Sequence, residues 1–185
     1  MRIERLSQAY HVDVRWAAFP LYHDLPPDGR SLEDVFKGTS IDLSKVEQRL
    51  KEAASREGLP LGERKRIYNT RLAHELAKWA EDEGHGQAFH ATVFHAGFVD
   101  GRNISDPAEL TRLAASIGLN ADEAKSVLTL RTLSGAVEAD LRMAKELDVT
   151  AVPTFVMDGE KLTGAHPYEE LEALARRQGA ENRMA

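Results

Sequence analysis

The stretch VTAVPTFVMDGEKLTG, residues 149–164, constrains this chain more than any other. Asp158-Gly159 is a two-residue turn signal, because the turns that match strand twist need positive φ angles that Gly, Asn and Asp tolerate. It separates residues 155–157 from 161–163, which predicts a tight antiparallel hairpin. Pro153 stands just before the first strand. Proline cannot donate to a ladder, so it belongs at a strand end or edge. A helix predicted over residues 135–147 leads in, and HPYEELEALARRQG leads out as a closing helix.

The opposite end of the chain also carries a strand signal. In VDVRWAAF, Val12, Val14 and Trp16 alternate with Asp13 and Arg15, which predicts a strand with one face buried. Before it, Ile3, Leu6 and Tyr10 are spaced as on an amphipathic helix. After it, PLYHDLPPDGR is a loop punctuated by Pro20, Pro26, Pro27 and Gly29. Residues 31–134 then read as helices. SKVEQRLKEAASREG opens with a capping box of Ser44 and Glu47 and stops at Gly58; LPLGERKR is irregular. NTRLAHELAKWAEDEG repeats Leu72, Ala73, Leu76, Ala77 and Ala80, and GQAFHATVFHAGF carries Phe89, Val93 and Phe94. SDPAELTRLAASIG offers Asp106 as cap, Pro107 at the first helical position and Glu109 to close a box; NADEAKSVL starts from Asn120.

Composition narrows the function classes. The 185 residues bound one domain, or one with an insertion. A net charge of −6 without a run of one sign argues against a nucleic-acid surface. No stretch reaches the ~18 apolar residues of a membrane helix, and MRIERLSQAY has no apolar signal core, so a cytoplasmic protein is expected. There is no cysteine, which excludes disulfides, thiolate metal sites and a cysteine nucleophile within these residues.

The order helix, Val-Pro-Thr-Phe, Asp-Gly hairpin, helix resembles the second half of a thioredoxin-like fold. With VDVRWAAFPLYHDLPPDGR, NTRLAHELAKWA and FHATVFHAGFVDGRNISDPAEL, the whole chain resembles the DsbA-like family in that family's order. The nearest branch is that of the FrnE-type oxidoreductases, and the chain is also similar to 2-hydroxychromene-2-carboxylate isomerases and kappa-class glutathione transferases. The resemblance implies an α/β thioredoxin-like domain of residues 1–30 and 135–185, with residues 31–134 as an inserted helical domain. It implies a cis Val152–Pro153 bond that turns the peptide groups of Val152 outward, toward an extended substrate. It also implies an absence. Family members open with a strand and carry Cys-x-x-Cys, or a serine, at the start of the first helix. Here Met1 falls inside that helix, so the first strand and the CxxC turn are missing. A helix N-terminus is what lowers such a thiol's pKa, and nothing downstream replaces it. Either the reading frame starts late, at an internal methionine, or the chain is a natural degenerate member. Without its central strand the sheet has open edges, so a homodimer or a rearranged sheet is expected.

Three functions follow from the resemblance: a thiol–disulfide oxidoreductase whose present chain is redox-inactive, a glutathione-dependent isomerase or transferase, and a non-catalytic binding or assembly module. The expected occupant of the groove is a peptide, thiol or small molecule; no cofactor is required, with glutathione the exception in the isomerase branch. The candidate substrate-binding residues are Val152, Pro153, Thr154, Phe19, Asn69 and His74. Each has a plainer alternative: Asn69 and His74 suit a helix start with a satisfied histidine, and Trp16, Phe19 and Pro20 suit core packing. Ser7 lies too far along its helix to match the isomerase serine, and His166 in GAH matches the kappa-type ligand contact only loosely. Asp148 and Ala151 stand where the family often has glycine, so Asp148 must accept a helix-ending conformation. No metal site is expected. HELAK lacks the second histidine of HExxH, and His85, His90 and His95 are five residues apart, about 140° off a common face. Glu33-Asp34 and Arg64-Lys65-Arg66 read as solvated charges.

Overall fold

The computed structural model describes residues 2–22 and 24–183. Met1, which the resemblance places within the opening helix, and His23 of the first loop lie outside the described residues. In chain order the elements are α1 (Arg2–Ala9), β1 (Arg30–Ser31), α2 (Leu32–Val35), α3 (Leu43–Arg56), β2 (Arg66–Ile67), α4 (Arg71–Asp82), α5 (Gly86–Phe98), α6 (Pro107–Ser116), α7 (Ala121–Leu130), α8 (Ser134–Glu146), β3 (Thr154–Met157), β4 (Glu160–Thr163) and α9 (Tyr168–Arg177). The helix–hairpin–helix ending and the helical middle both follow the sequence pattern. Two compact units result: Pro20–Glu138, and Met1–Phe19 with Ala139–Ala185.

In Pro20–Glu138, α4 packs along α5 and α7, and α6 packs on α5 and α7. The apolar stripes read from the sequence meet in one core in which Leu76, Ala80, Phe89, Leu110 and Ala114 are fully buried. Asp106 caps α6 by accepting from Ala108 N, with Pro107 at the first helical position, and Asn120 caps α7. The boxes at Glu47 and Glu109 do not form. Asp42 starts α3 before Ser44, accepting from the backbone N–H groups of Ser44 and Lys45, since a carboxylate is a stronger acceptor than a hydroxyl. Glu47 pairs with Lys51 instead. Glu109 turns inward, where Arg102 and Arg112 hold it.

The segment expected to be irregular contains β2, which pairs antiparallel with β1 through Arg30↔Ile67 and Ser31↔Arg66. Gly29 makes this possible: it has φ +65°, and the Ile67 carbonyl occupies the space a side chain would need. Arg66 is no free surface charge, because its guanidinium donates to the carbonyls of Asp28 and Gly29. Arg64 likewise lies over the Phe98 ring.

The same unit hides a charge network. Glu75 lies in the apolar stripe of α4 and is 0% exposed. Arg131 Nε donates to Glu75 Oε2 and Nη2 to Oε1, each at 2.6 Å, and Arg71 Nε adds 2.8 Å to Oε1. Arg71 also reaches Glu138 and the Ser134 carbonyl. Burial alone would push the Glu75 carboxyl up, but the hydrogen bonds from Arg131 and Arg71 outweigh it and hold Glu75 below the usual range. Arg131 stands at the end of α7 with φ +53°.

In the other unit, α1 packs against α9 around Leu6, Tyr10, Tyr168, Leu171 and Ala175. The β3–β4 hairpin lays Phe155, Met157 and Leu162 on that core, in the register Thr154↔Thr163, Phe155↔Leu162, Val156↔Lys161 and Met157↔Glu160. The predicted strand at VDVRWAAF is not a strand. Among the described residues nothing forms a ladder with it; Tyr10 alone bridges Asn182. An alternating pattern needs a hydrogen-bonding neighbour to become a strand. Trp16, expected in a core, is 48% exposed.

Two positive-φ residues should respond in opposite directions to glycine. Asp148 has φ +50°, and its exposed side chain makes only a 3.8 Å ion pair with Lys161. Asp148→Gly should raise stability by about 0.5 kcal/mol in urea unfolding. Arg131→Gly gains a similar relief but leaves Glu75 buried and under-neutralised, and should cost about 3 kcal/mol. The depressed carboxyl of Glu75 also fixes a pH sign. Its stabilisation is present above the unfolded value of about 4.3 and is lost as pH falls through the lower folded value. Urea midpoints taken down the acid range should therefore fall less steeply in Glu75→Gln than in the parent chain.

Candidate functional site

The feature with the most chemical reach is the outer edge of β3, in the unit of Met1–Phe19 and Ala139–Ala185. It begins where α8 ends. Asp148 takes the left-handed conformation, and Val149 N–H closes back onto the Ala144 carbonyl. Lys161 Nζ, reaching from β4, donates to the carbonyls of Leu147 at 2.6 Å and Asp148 at 3.1 Å. A cation on the last carbonyls of a helix satisfies orphan acceptors and suits the dipole. This clamp ties α8 to the hairpin and sets where residues 149–153 start.

The Val152–Pro153 peptide bond is cis. Pro153 offers its carbonyl to Gly164 N–H at 2.8 Å, which extends the hairpin ladder by one rung. Antiparallel ladders alternate, so the rungs at Pro153, Phe155 and Met157 face β4. The N–H and C=O groups of Thr154 and Val156 consequently point the other way, and among the described residues no strand lies there. Thr154 Oγ1 donates to the Ala151 carbonyl at 2.7 Å and lies 3.3 Å from Thr163 Oγ1, which pins the strand's first residue. Val152 and Val156 are both exposed. The result is a short, rigidly held strand with one unsatisfied backbone edge and two apolar side chains beside it.

The corner beyond β4 is built to hold this edge still. Gly164 has φ +110°, and the His166 ring bridges two acceptors: Nδ1 lies 2.5 Å from Glu170 Oε2 and Nε2 lies 2.9 Å from the Thr163 carbonyl. His166 thus serves the β4–α9 corner. Arg2 Nη1 donates to the His166 carbonyl.

Of the six candidate residues, Val152, Pro153, Thr154 and Phe19 belong to this unit, with Val152 and Pro153 exposed and Thr154 and Phe19 half-buried. Asn69 and His74 belong to the helical unit. There Asn69 Oδ1 accepts from Arg71 N–H and its Nδ2 donates to the Leu25 carbonyl, so it fastens the preceding loop to the start of α4, where Thr70 is the cap residue. His74 lies half-buried on α4.

A residue absent from the candidates does much of the positioning. Asp140, 1% exposed on α8, accepts from Arg15 Nη2 at 2.9 Å and from Ala18 N–H at 2.8 Å. It replaces some of the pairing that residues 12–19 would have found in a sheet. The signal was present: Val137, Asp140 and Ala144 share one helix face, and an acid in an apolar stripe marks a buried partner. Among the described residues no group of three His, Asp or Glu side chains is placed to hold a metal ion, and no helix is long and apolar enough to cross a membrane.

The fold and this edge define a thioredoxin-like protein of the DsbA type, with a helical insertion. The chain belongs to the family described as DSBA-like thioredoxin domain, whose model matches residues 1–175. In structure it is similar to a probable DsbA oxidoreductase of Streptomyces coelicolor, at 29% identity and TM-score 0.86, covering 96% of this chain and 82% of that one. The fold also matches a 2-hydroxychromene-2-carboxylate isomerase at 20% identity and TM-score 0.67, over 96% of this chain and 85% of the other. In sequence it is similar to the Bacillus subtilis protein YwbO, 37% identical over 97 residues, and to the ClpXP adapter protein SpxH of the same organism, 28% identical over 106. Each match takes in 52% of this chain, and 48% and 36% of the respective relative. The chain thus matches less than half the length of these curated relatives.

Asp140→Ala should uncouple residues 12–19 from α8 without opening the α1–α9 core. The expected reading is faster limited proteolysis at 13–17 and a loss of about 2 kcal/mol, from one buried backbone N–H and one ion pair left unmatched.

Proposed function

We propose that this chain supplies the peptide-docking half of a DsbA-type, FrnE-like thiol–disulfide oxidoreductase in the cytoplasm. The observation that carries this reading is the one-sided β3: Thr154 and Val156 present a donor and an acceptor each to whatever lies alongside. An extended peptide adding to that edge gains main-chain hydrogen bonds, while Val152 and Val156 offer apolar contact to its alternate side chains. Family membership supports the reading, as does the likeness to the Streptomyces oxidoreductase. Disulfide exchange needs a thiolate to attack a disulfide sulfur, and these residues contain no cysteine. The edge can therefore hold a substrate and cannot itself exchange it.

The absence of a thiol favours a second reading, in which the same edge holds a partner protein and no chemistry follows. Similarity to the ClpXP adapter protein SpxH supports that reading. In the isomerase-like alternative the thiol is brought by glutathione, and calorimetric titration with glutathione should then give heat.

The docking edge is tested with an extended, β-branched peptide followed by amide NMR. Perturbation should centre on Thr154 and Val156, and N-methylation of the peptide's facing amides should weaken binding roughly two- to tenfold per lost bond. Val156→Pro should fold, since the Val156 N–H is not in the β4 ladder, and should lose the peptide. Binding indifferent to both changes would remove the docking reading. In insulin reduction the chain should give background turnover only; turnover above background contradicts the division into a docking half and a missing thiol.

A further inference from the structure

Within the helical unit, α3 stands apart. It is 14 residues long, yet among the described residues none of it is buried and no other element packs closely along it. Its sequence nevertheless writes a seam. Leu43, Val46, Leu50 and Ala53 recur at alternating spacings of three and four, the pattern that lines one face of a helix for another helix. Val46 is 41% and Leu50 49% exposed, and Ile41 and Leu59, in the segments before and after the helix, are exposed as well. A helix of this length is marginal alone in water even when capped. A seam of this kind left in solvent points to a partner helix.

We infer that α3 is a self-association surface, on which a second copy of this chain packs its own α3 antiparallel. Side-chain volume selects that direction. Antiparallel pairing sets Leu43 opposite the partner's Ala53 and Val46 opposite the partner's Leu50, so large meets small at the ends and the middle is matched. Parallel pairing would set Ala53 against the partner's Ala53 and leave a void. Charge selects it too. Asp42 and Arg56 lie at opposite ends of the same flank, so each Asp42 comes beside the partner's Arg56. The parallel arrangement would instead bring Asp42 beside the partner's Glu47, a like-charge contact. Opposed macrodipoles add a small favourable term. Two costs are built in: beside the two-fold axis Arg49 meets the partner's Arg49 on one flank, and Glu47 meets the partner's Glu47 on the other. A helix about 21 Å long covers an area at the low end of specific interfaces, so the dimer is weak and reversible. This inference is independent of the β3 edge.

Sedimentation velocity of the full chain over a wide concentration range is the test. The weight-average mass should rise from monomer toward dimer. Leu50→Glu, at an exposed site, should keep the circular dichroism of the parent and weaken association more than tenfold. Arg49→Gln should tighten it several-fold by removing the axial repulsion. Because the chain has no native cysteine, Arg49→Cys reports direction: oxidation should give a disulfide-linked dimer in the antiparallel arrangement, whereas Ala53→Cys should not. A chain that stays monomeric at about 1 mM, a dimer indifferent to Leu50→Glu, or crosslinking through Ala53→Cys in preference to Arg49→Cys would each overturn the inference.

Discussion

A β-strand has two edges, and among the described residues β3 has paired only one of them. The rest of the site follows from that. Pro153 can stand at the strand's start because its inward rung needs only a carbonyl, which Gly164 takes. Thr154 and Val156 are left with N–H and C=O groups that no strand among the described residues pairs and that an extended chain would satisfy. The surrounding interactions keep that edge in place: Lys161 on the end of α8, Thr154 on Ala151, and His166 between Thr163 and Glu170. Each joins a side chain to a backbone or carboxylate acceptor within a few residues of the edge. The edge is therefore presented by a fixed frame rather than by a loose loop.

Both compact units use the same device, a carboxylate set into an apolar helix face. Glu75 takes two arginines in one unit, and Asp140 takes an arginine and a backbone N–H in the other. Burying a carboxylate is costly, and the cost is offset only when every oxygen finds a donor. Such groups say little about how stable a fold is and much about which arrangement it adopts. Glu75 requires Arg131 in a left-handed conformation at the C-terminal end of α7, and Asp140 requires residues 15–18 to lie along α8.

The sequence was most legible where local chemistry decides alone. Asp158-Gly159 turns between β3 and β4, Asp106-Pro107 opens α6, and the apolar spacing in NTRLAHELAKWAEDEG becomes the buried stripe of α4. It was least legible where a partner distant in the chain decides. VDVRWAAF carries the alternation of a strand and finds no ladder. Ser44 has the look of a cap and is displaced by Asp42 two residues earlier. Arg66 belongs to a basic triplet yet holds two loop carbonyls from 38 and 37 residues away. Asn69, read as a cleft residue or a helix start, accepts from the Arg71 N–H at the start of α4. Periodicity reports which face of an element is apolar; it does not report what covers that face, and α3 is the extreme case.

Amide hydrogen exchange along the hairpin of the free chain, at high dilution, is the most direct test of the one-sided strand. Phe155 and Met157 donate into the β4 ladder and should exchange slowly, while Thr154 and Val156 should exchange fast, giving alternation through β3. Protection of Val156 equal to that of Phe155 would mean that the outer edge is already covered, and the docking account would fall with it.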